Sequence, residues 1–234
     1  MGELVIKKGV LKKYFTVLAS DKIVEIPAGV KVIGSRAFYS LSMIEKIVIP
    51  DSVVEIREEA ICDLDGLKSF YLPKSVTKIG ECGISYCSSI KRIKVDKGNP
   101  RYNSNNNCNA IIDSQRKELI LGCVNTVIPK EVKKIGVLAF SCVYGLEHVV
   151  IPDNITTIGH QAFYNCYSIK SFMIPKSVKY IGVGAFNGID HDLHIFYAGT
   201  KADWDKIKKC ELYEPGEYED ESIILHCTEG DYNI

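Results

Sequence analysis

Apolar residues recur along this chain in a fixed pattern with a period of 23 residues. Six Ile-Pro or Leu-Pro pairs mark the pattern, and they fall into two groups of three, from Ile26-Pro27 to Leu72-Pro73 and from Ile128-Pro129 to Ile174-Pro175. An isoleucine always stands six residues after the proline. A repeat of this length predicts a solenoid, because one unit cannot bury its apolar residues alone and must pack on its neighbours.

The residues that precede each proline alternate between apolar and polar. In one copy the apolar residues are Ile44, Ile47 and Ile49. This spacing predicts a short strand whose apolar residues point inward while the residues between them face solvent.

A glycine follows the isoleucine in five of the six copies, and an Ala-Phe pair follows shortly afterwards in four. We expect the glycine to supply a turn with positive φ, although Arg57 replaces it in the second copy.

Gly182-Val183-Gly184 superficially matches a phosphate-binding loop. Because other copies have Arg36, Leu138 or Gln161 in the place of Gly184, we predict a structural turn there.

These repeats resemble the BspA-like leucine-rich repeats, whose pattern is IP-x-S-V-x-x-IG-x-x-AF-x-x-C-x-x-L-x-x-I. Cys87 and Cys166 stand in the family's cysteine position, and the resemblance covers residues 24–197 apart from a central insert. It implies a β-rich leucine-rich-repeat solenoid, a right-handed coil with short parallel strands. It also implies a non-enzymatic protein–protein interaction module, similar to bacterial surface adhesion or ligand-binding proteins.

We expect a single leucine-rich-repeat domain over residues 1–234. Its predicted parts are an N-terminal cap (1–24), coils 1–3 (25–95), a β-hairpin insert (96–127), coils 4–6 (128–197) and a helical C-terminal cap (198–234). In the insert, two apolar runs at 110–112 and 119–121 flank a polar turn, as in a hairpin. In the cap, Thr200 to Asp203 resembles a capping box and predicts a helix over 201–209. Trp204 and Ile207, with Cys210 as a further candidate, would then cover the last coil.

Charge and composition narrow the range of functions. Lys plus Arg and Asp plus Glu both number 29, so net charge gives no overall attraction to nucleic acid or to a membrane. The sequence offers no membrane-spanning apolar stretch and no recognisable signal peptide. The chain as written is therefore expected to be soluble and cytoplasmic by default, or exported if a leader was trimmed.

No motif predicts catalytic residues, a metal site or a cofactor. The nine cysteines contain no C-x-x-C pair and are interpreted as reduced, small hydrophobic residues. His191 and His194 are a candidate metal pair, but no further ligands stand at a recognisable spacing. Asn154 begins a formal glycosylation sequon within the repeat consensus, which we interpret as incidental.

The candidate binding residues are exposed positions on the predicted strands. They are Lys46, Lys68, Tyr71, Lys91, Arg92, Lys94, His148, Lys170 and Met173. Such a surface suits an acidic or mixed protein ligand, or it is a solvated face on which lysines oppose edge aggregation. An enzyme with its site in the insert or the C-terminal segment, and a structural spacer, are the rival functions. The sequence does not reveal the ligand or the oligomeric state.

Overall fold

Each repeat forms one coil of up to three short strands separated by turns. The computed structural model describes residues 2–16, 22–189, 193–209 and 223–234. The second repeat, for example, forms strands at Lys46–Val48, Glu55–Ile56 and Ile61–Cys62. Equivalent strands of successive coils pair in parallel at the 23-residue offset, as when Glu55 pairs with Val32 and with Lys78. The predicted solenoid with short parallel strands is confirmed, with about eight turns.

The chain divides into two compact units. Unit 1 comprises Met1–Arg116 and Leu121–Val127, and unit 2 comprises Lys117–Ile120 and Ile128–Ile234. The expectation of a single continuous domain stays a prediction.

The first fourteen strands, of which β13 and β14 lie in the central insert, belong to unit 1. They are β1 (Glu3–Lys7), β2 (Val10–Phe15), β3 (Ile23–Glu25), β4 (Val32–Ile33), β5 (Phe38–Tyr39), β6 (Lys46–Val48), β7 (Glu55–Ile56), β8 (Ile61–Cys62), β9 (Ser69–Leu72), β10 (Lys78–Ile79), β11 (Ile84–Ser85), β12 (Arg92–Val95), β13 (Tyr102–Asn103) and β14 (Ile111–Asp113). A short 3₁₀ helix, Asn105–Asn107, follows β13.

The remaining strands begin with β15 in the insert and continue the same pattern. They are β15 (Glu118–Leu121), β16 (Lys134–Ile135), β17 (His148–Val150), β18 (Thr157–Ile158), β19 (Ser171–Ile174), β20 (Tyr180–Ile181), β21 (Leu193–Tyr197), β22 (Lys208–Lys209), β23 (Ile223–Cys227) and β24 (Gly230–Asn233), with one α-helix, α1 (Lys201–Asp205). No helix among the described residues is long and apolar enough to cross a membrane.

The repeated apolar positions form the core, as predicted. The isoleucine six residues after the proline is fully buried in five of the coils, including Ile33 and Ile181, and so is the alanine of each Ala-Phe pair. In unit 2, aromatic rings from successive coils pack together: the ring centroids of Phe163 and Phe172 lie 4.9 Å apart, and those of Phe172 and Phe186 lie 4.6 Å apart.

The prediction that the repeat glycine supplies a positive φ is wrong. None of Gly34, Gly80, Gly136, Gly159 and Gly182 has a positive φ. Instead, a Cβ at these positions would lie 2.5–2.8 Å from a backbone atom of the neighbouring coil. The glycine is therefore needed for close approach of two backbones, not for an unusual dihedral angle.

Positive φ occurs at two positions in the coils, which lie two residues and six residues after that glycine. At the first position φ is 56° at Arg36, 54° at Leu138 and 58° at Gly184. The second position includes Ser40 and Gly188, with φ of 56° and 74°. Gly184 thus lies at a left-handed turn that non-glycine residues also adopt in other coils, which supports the interpretation of its motif as structural.

Both ends of the chain extend the array of coils. At the N-terminus β1 and β2 form an antiparallel hairpin, and β2 pairs in parallel with β4. At the C-terminus β21 pairs with β19 and then with β23, which forms an antiparallel hairpin with β24.

The C-terminal helix is shorter than predicted. The capping box is present, since the Thr200 hydroxyl accepts from the Asp203 N–H and the Asp203 carboxylate accepts from the Thr200 N–H. The helix ends at Asp205 rather than near 209, because the Lys208 N–H donates to the Lys179 carbonyl oxygen of the preceding coil at 3.0 Å. Trp204 and Ile207 are buried as predicted, and Cys210 lies outside the described residues.

The insert contains strands at both predicted apolar runs, β14 and β15, with a turn between them at 114–117. Its antiparallel pair β13–β14 was not predicted.

A buried ion pair fixes this part of the insert. The Asp113 carboxylate, 1% exposed, accepts from Arg101 Nη2 at 2.9 Å and Nε at 3.1 Å.

Candidate binding surface

The first strand of each coil presents alternate side chains to solvent, and we call these side chains the strand face. In unit 1 they are Ile23, Glu25, Lys46, Val48, Ser69, Tyr71, Arg92 and Lys94; in unit 2 they are His148, Val150, Ser171, Met173, His194 and Phe196. Parallel pairing keeps them in register, so that Tyr71 lies beside Lys94, and Met173 beside both Val150 and Phe196. The turn that leads into each strand adds exposed charges, which include Lys68, Lys91 and Lys170.

Charges at the start of the strand face in unit 1 neutralise one another. Glu45 accepts from Lys68 at 2.5 Å and from Lys22 at 2.9 Å, and these two hydrogen bonds lower the pKa of Glu45 to about 2. Lys68, one of the predicted binding residues, is thus already paired with a carboxylate.

The basic residues of the third coil differ from Lys68. Lys91, Arg92 and Lys94 are exposed, and none forms an ion pair with any residue that the structure describes. The nearby carboxylate of Asp96 instead accepts from the Tyr71 hydroxyl at 2.5 Å and from the Gly98 N–H at 2.8 Å. Both contacts lower the pKa of Asp96. The hydrogen bond to Asp96 also raises the pKa of Tyr71 to about 12.

A cavity of about 850 Å³ lies between β12 and the following insert, and we call it the basic cleft. Strand β12 provides one side, and the Asn-rich segment 103–109 contributes much of the rest. Three of the predicted binding residues, Lys91, Arg92 and Lys94, line it together. The sequence predicted these residues as part of an open strand, but it gave no indication that the insert would enclose them.

Side chains of the insert hold the free edge of β12. Asn109 Oδ1 accepts from the Ile93 N–H at 2.6 Å, while its Nδ2 donates to the Lys91 carbonyl oxygen at 3.0 Å. The Ser104 hydroxyl accepts from the Val95 N–H at 2.9 Å. This edge is therefore satisfied by side chains instead of by another strand.

The strand face of unit 2 has a different character. Val150, Met173 and Phe196, which we call the apolar column, are 62%, 55% and 45% exposed and occupy three adjacent strands in register. A groove of about 230 Å³ runs beside them. The Phe196 ring stacks on His226 with 4.4 Å between the ring centroids.

Polar groups flank the apolar column. Lys170 donates to Glu147 at 2.9 Å, and His148 Nδ1 lies 2.8 Å from the Ser171 hydroxyl. The sequence-predicted residues His148, Lys170 and Met173 thus meet on one surface. Phe196 was missed, although the alternating pattern of residues 193–197 could have identified it as an exposed strand residue.

In the part of the chain that the structure describes, histidines and cysteines form no recognisable metal centre. Among the described residues, no group of three His, Cys, Asp or Glu side chains is placed to hold a metal ion. His191, half of the predicted metal pair, lies outside the described residues. His194 Nδ1 instead lies 2.8 Å from His226 Nε2, and His226 Nδ1 lies 2.8 Å from Asp231.

The described cysteines are free thiols, and most of them are buried. Cys87 and Cys166 occupy the repeat position that is taken by the buried residues Leu64, Val143 and Ile189 in other coils. Burial raises the pKa of Cys166 to about 12 and also raises the pKa of Cys87. Both cysteines therefore act as small hydrophobic residues.

The sequon asparagine has a structural role. Asn154 Nδ2 donates to the carbonyl oxygens of Pro129 at 3.2 Å and Val132 at 2.6 Å. Because a glycan on this nitrogen would replace one of these bonds, the contacts support the interpretation of the sequon as incidental.

Comparisons with known proteins agree with this architecture. The family model of the BspA type leucine rich repeat region matches residues 10–114 and 121–201 in six copies. A search of curated proteins found no match.

Three solved structures are similar to this chain, and the first of them shows the likeness of the fold. A leucine rich cell surface protein from Faecalibacterium prausnitzii is 22% identical with a TM-score of 0.60, over 80% of this chain and 62% of that one. The pneumococcal vaccine antigen PcpA is 17% identical with a TM-score of 0.47, over 88% of this chain and 67% of that one. A leucine-rich repeat protein from Eubacterium ventriosum is 15% identical with a TM-score of 0.45, over 87% and 78% of the two chains. The match to the first of these spans 62% of that protein's length.

Proposed function

This chain belongs to the BspA-type leucine-rich repeat family, and we propose that it is a non-enzymatic module that binds a protein ligand through its strand face. The observation that carries the proposal is the apolar column in unit 2. Val150, Met173 and Phe196 remain 45–62% exposed while the apolar residues that alternate with them are largely buried. Exposed apolar residues that are contiguous and rimmed by polar groups favour a protein interface.

The composition of this surface suits a protein partner of a definite kind. Methionine and aromatic residues are enriched at the centres of interfaces, where a few of them supply most of the binding energy. Lys170 and His148 provide a polar rim on one side. We therefore propose a partner segment that places apolar side chains over the apolar column and polar side chains next to the Lys170–Glu147 ion pair.

The binding residues predicted in unit 1 belong to the same proposal. Lys46, Lys68, Tyr71, Lys91, Arg92 and Lys94 are all exposed on or beside the strand face. The similar F. prausnitzii structure is described as that of a cell surface protein. By analogy we propose a role in surface adhesion or ligand binding for this chain.

An enzyme is less well supported than a binding module. The basic cleft is lined by one carboxylate, with no histidine or cysteine among its described lining residues. That carboxylate, Asp96, is already engaged by Tyr71 and Gly98. These groups suit ligand binding better than acid–base or nucleophilic chemistry.

The experiment is a quantitative binding screen against purified extracellular matrix proteins and fractionated cell extracts. For any protein that binds the wild-type chain saturably, Met173→Asp should weaken the affinity by about 30-fold, since it places a charge at the centre of the interface. Val127→Asp is the matched control, because Val127 is a 70% exposed valine outside the strand face.

Two outcomes would contradict parts of this proposal. If Met173→Asp binds every ligand like the wild type, or if Val127→Asp weakens binding equally, the apolar column is not the binding surface. If reversal of the charges on Lys91, Arg92 and Lys94 leaves binding unchanged, these basic residues are not part of the protein-binding surface.

A further inference from the structure

The basic cleft of unit 1 has a chemistry that the apolar column does not share. Four cationic side chains line it, Lys91, Arg92, Lys94 and Lys97, against the single carboxylate of Asp96. Asp96 accepts hydrogen bonds from Tyr71 and Gly98, and it forms no ion pair with any of these four cations, all of which the structure describes. A cavity lined in this way attracts anions.

Unengaged amide groups make up another part of the lining. Asn105, Asn106, Asn107 and Asn125 are exposed, and their side-chain amides form no hydrogen bond with any residue that the structure describes. Each amide offers two donors and an acceptor in one plane. This combination matches neighbouring hydroxyl groups, which also donate and accept.

The supporting residues beneath this lining are already fixed. Asn109 and Ser104 bind the β12 backbone, and Asn99 Nδ2 donates to the carbonyl oxygens of Pro73 at 3.0 Å and Val76 at 2.8 Å. The cleft is thus preorganised by one set of polar side chains and leaves another set available to a ligand.

The cleft lacks an exposed apolar surface on which a protein could anchor. Its apolar lining residues Ile93, Val95 and Tyr102 are only 4%, 3% and 2% exposed. Protein interfaces take more than half of their area from apolar atoms, so a peptide would find no centre for its contacts here. A ring compound rich in hydroxyl groups and carrying anions would satisfy both the amides and the cations.

We propose that the basic cleft binds an acidic oligosaccharide, whose carboxylate or sulfate groups meet Lys91, Arg92 and Lys94 and whose hydroxyl groups meet the asparagine amides. The volume of about 850 Å³ falls within the usual range of small-ligand sites. This inference shares Lys91, Arg92 and Lys94 with the proposed protein-binding surface but uses no residue of the apolar column, so binding of a protein over the apolar column and binding of a saccharide in the cleft can fail separately.

Calorimetric titration of the full chain with four probes tests the inference. The probes are a sulfated heparin tetrasaccharide, tetragalacturonate with carboxylates only, neutral maltotetraose and hexaglutamate as an acidic peptide. We expect saturable binding of at least one acidic saccharide, at least tenfold tighter than binding of maltotetraose or hexaglutamate. Which of the two acidic saccharides binds identifies the preferred anion.

Charge-reversal variants locate the site. Lys91→Glu/Arg92→Glu/Lys94→Glu should weaken saccharide binding by at least 30-fold, because it replaces attraction with repulsion. The matched control is Lys130→Glu/Lys133→Glu/Lys134→Glu, which changes the same charge at three exposed lysines of unit 2 and should leave binding within about twofold. Thermal unfolding and the circular dichroism spectrum, compared with those of the wild type, verify that both variants fold.

Two amide variants separate recognition from simple charge attraction. Asn125→Ala and Asn107→Gly each remove an amide without changing charge, and glycine accepts the positive φ of 52° at Asn107. Each should weaken saccharide binding by about two- to tenfold, the usual worth of a neutral hydrogen bond. Neither variant should change how saccharide binding depends on salt concentration, because neither substitution alters the charge of the protein.

Several results would overturn the inference. Equal or tighter binding of hexaglutamate would assign the cleft to an acidic peptide. Equal loss of affinity in the Lys130/Lys133/Lys134 control would show non-specific attraction. Failure of both acidic saccharides to bind, or full affinity in both amide variants, would also exclude a saccharide site.

Discussion

At the level of single residues, the repeat glycines are explained by proximity between coils. A Cβ on Gly182 would lie 2.5 Å from the backbone nitrogen of His160, which cannot move aside independently of its coil. The sequence correctly indicated a structural glycine but not the reason for it. Turn signals and close-approach signals both appear as glycine, and only the φ angles distinguish the two.

Substitution of Gly182 tests this explanation. Gly182→Ala should lower the free energy of unfolding by about 1–3 kcal/mol, because the added methyl group forces neighbouring coils apart. Gly184→Asn is the control: its added Cβ would meet only side-chain atoms at 3.3 Å, and asparagine tolerates the φ of 58°. Urea denaturation measures both, and an equal loss in the two variants would contradict the close-approach account.

Glu45 gives a residue-level prediction about pH. Lys68 and Lys22 lower its pKa from 4.5 to about 2, so Glu45 stabilises the folded state above pH 4.5 and loses this contribution as the pH falls to 2. The thermal midpoint of the wild type should therefore exceed that of Glu45→Gln at pH 7. This difference should shrink towards zero at pH 2, and a difference that is constant with pH would contradict the pairing.

At the level of elements, the strands were predictable where the apolar pattern was regular. Both β14 and β15 formed at the predicted apolar runs of the insert. The pattern failed where tertiary pairing competed with local preference: Thr200 and Asp203 correctly predicted the start of α1, but pairing of β22 with β20 ended it at Asp205. Helix termination depended on a partner strand about 28 residues away, which local sequence does not reveal.

The insert also contains an ion pair that the sequence did not predict. Asp113 accepts from Arg101 through Oδ2 and from the N–H groups of Gln115 and Arg116 through Oδ1 at 3.0 Å and 3.1 Å. Burial of this carboxylate is tolerated because all of these donors surround it. The pair is formed by residues 12 positions apart, and nothing in their local sequence indicates the contact.

Removal of Arg101 should destabilise the chain strongly. Arg101→Met leaves the Asp113 carboxylate buried without its counter-ion, and we expect a loss of about 3–5 kcal/mol in the free energy of unfolding. The double variant Arg101→Met/Asp113→Asn should recover part of this loss, because it removes the buried charge while the side-chain carbonyl oxygen at position 113 can still accept from the two backbone N–H groups. Chemical denaturation of both variants tests this, and a double variant no more stable than the single one would contradict it.

At the level of the whole molecule, regular repeats explain most apolar positions, and function is left to the residues that vary between coils. The sequence correctly placed Arg92, Lys94 and Met173 at exposed strand positions, whereas Lys91 is exposed in the turn before β12. It could not show that the insert encloses the three basic residues in a cleft, because this depends on contacts of Asn109 and Ser104 with β12. It also did not separate an apolar surface in unit 2 from a cationic one in unit 1.

The central claim is that a protein ligand binds over the apolar column. Site-specific photo-crosslinking tests it most directly, with a benzophenone amino acid placed at Met173 in one variant and at Val127 in the other. The account predicts that a ligand found in the screen is crosslinked from position 173 and not from position 127. Excess unlabelled wild-type chain should abolish this crosslink by competing for the ligand, whereas excess Met173→Asp chain should not. Equal crosslinking from both positions, or equal competition by both chains, would contradict it.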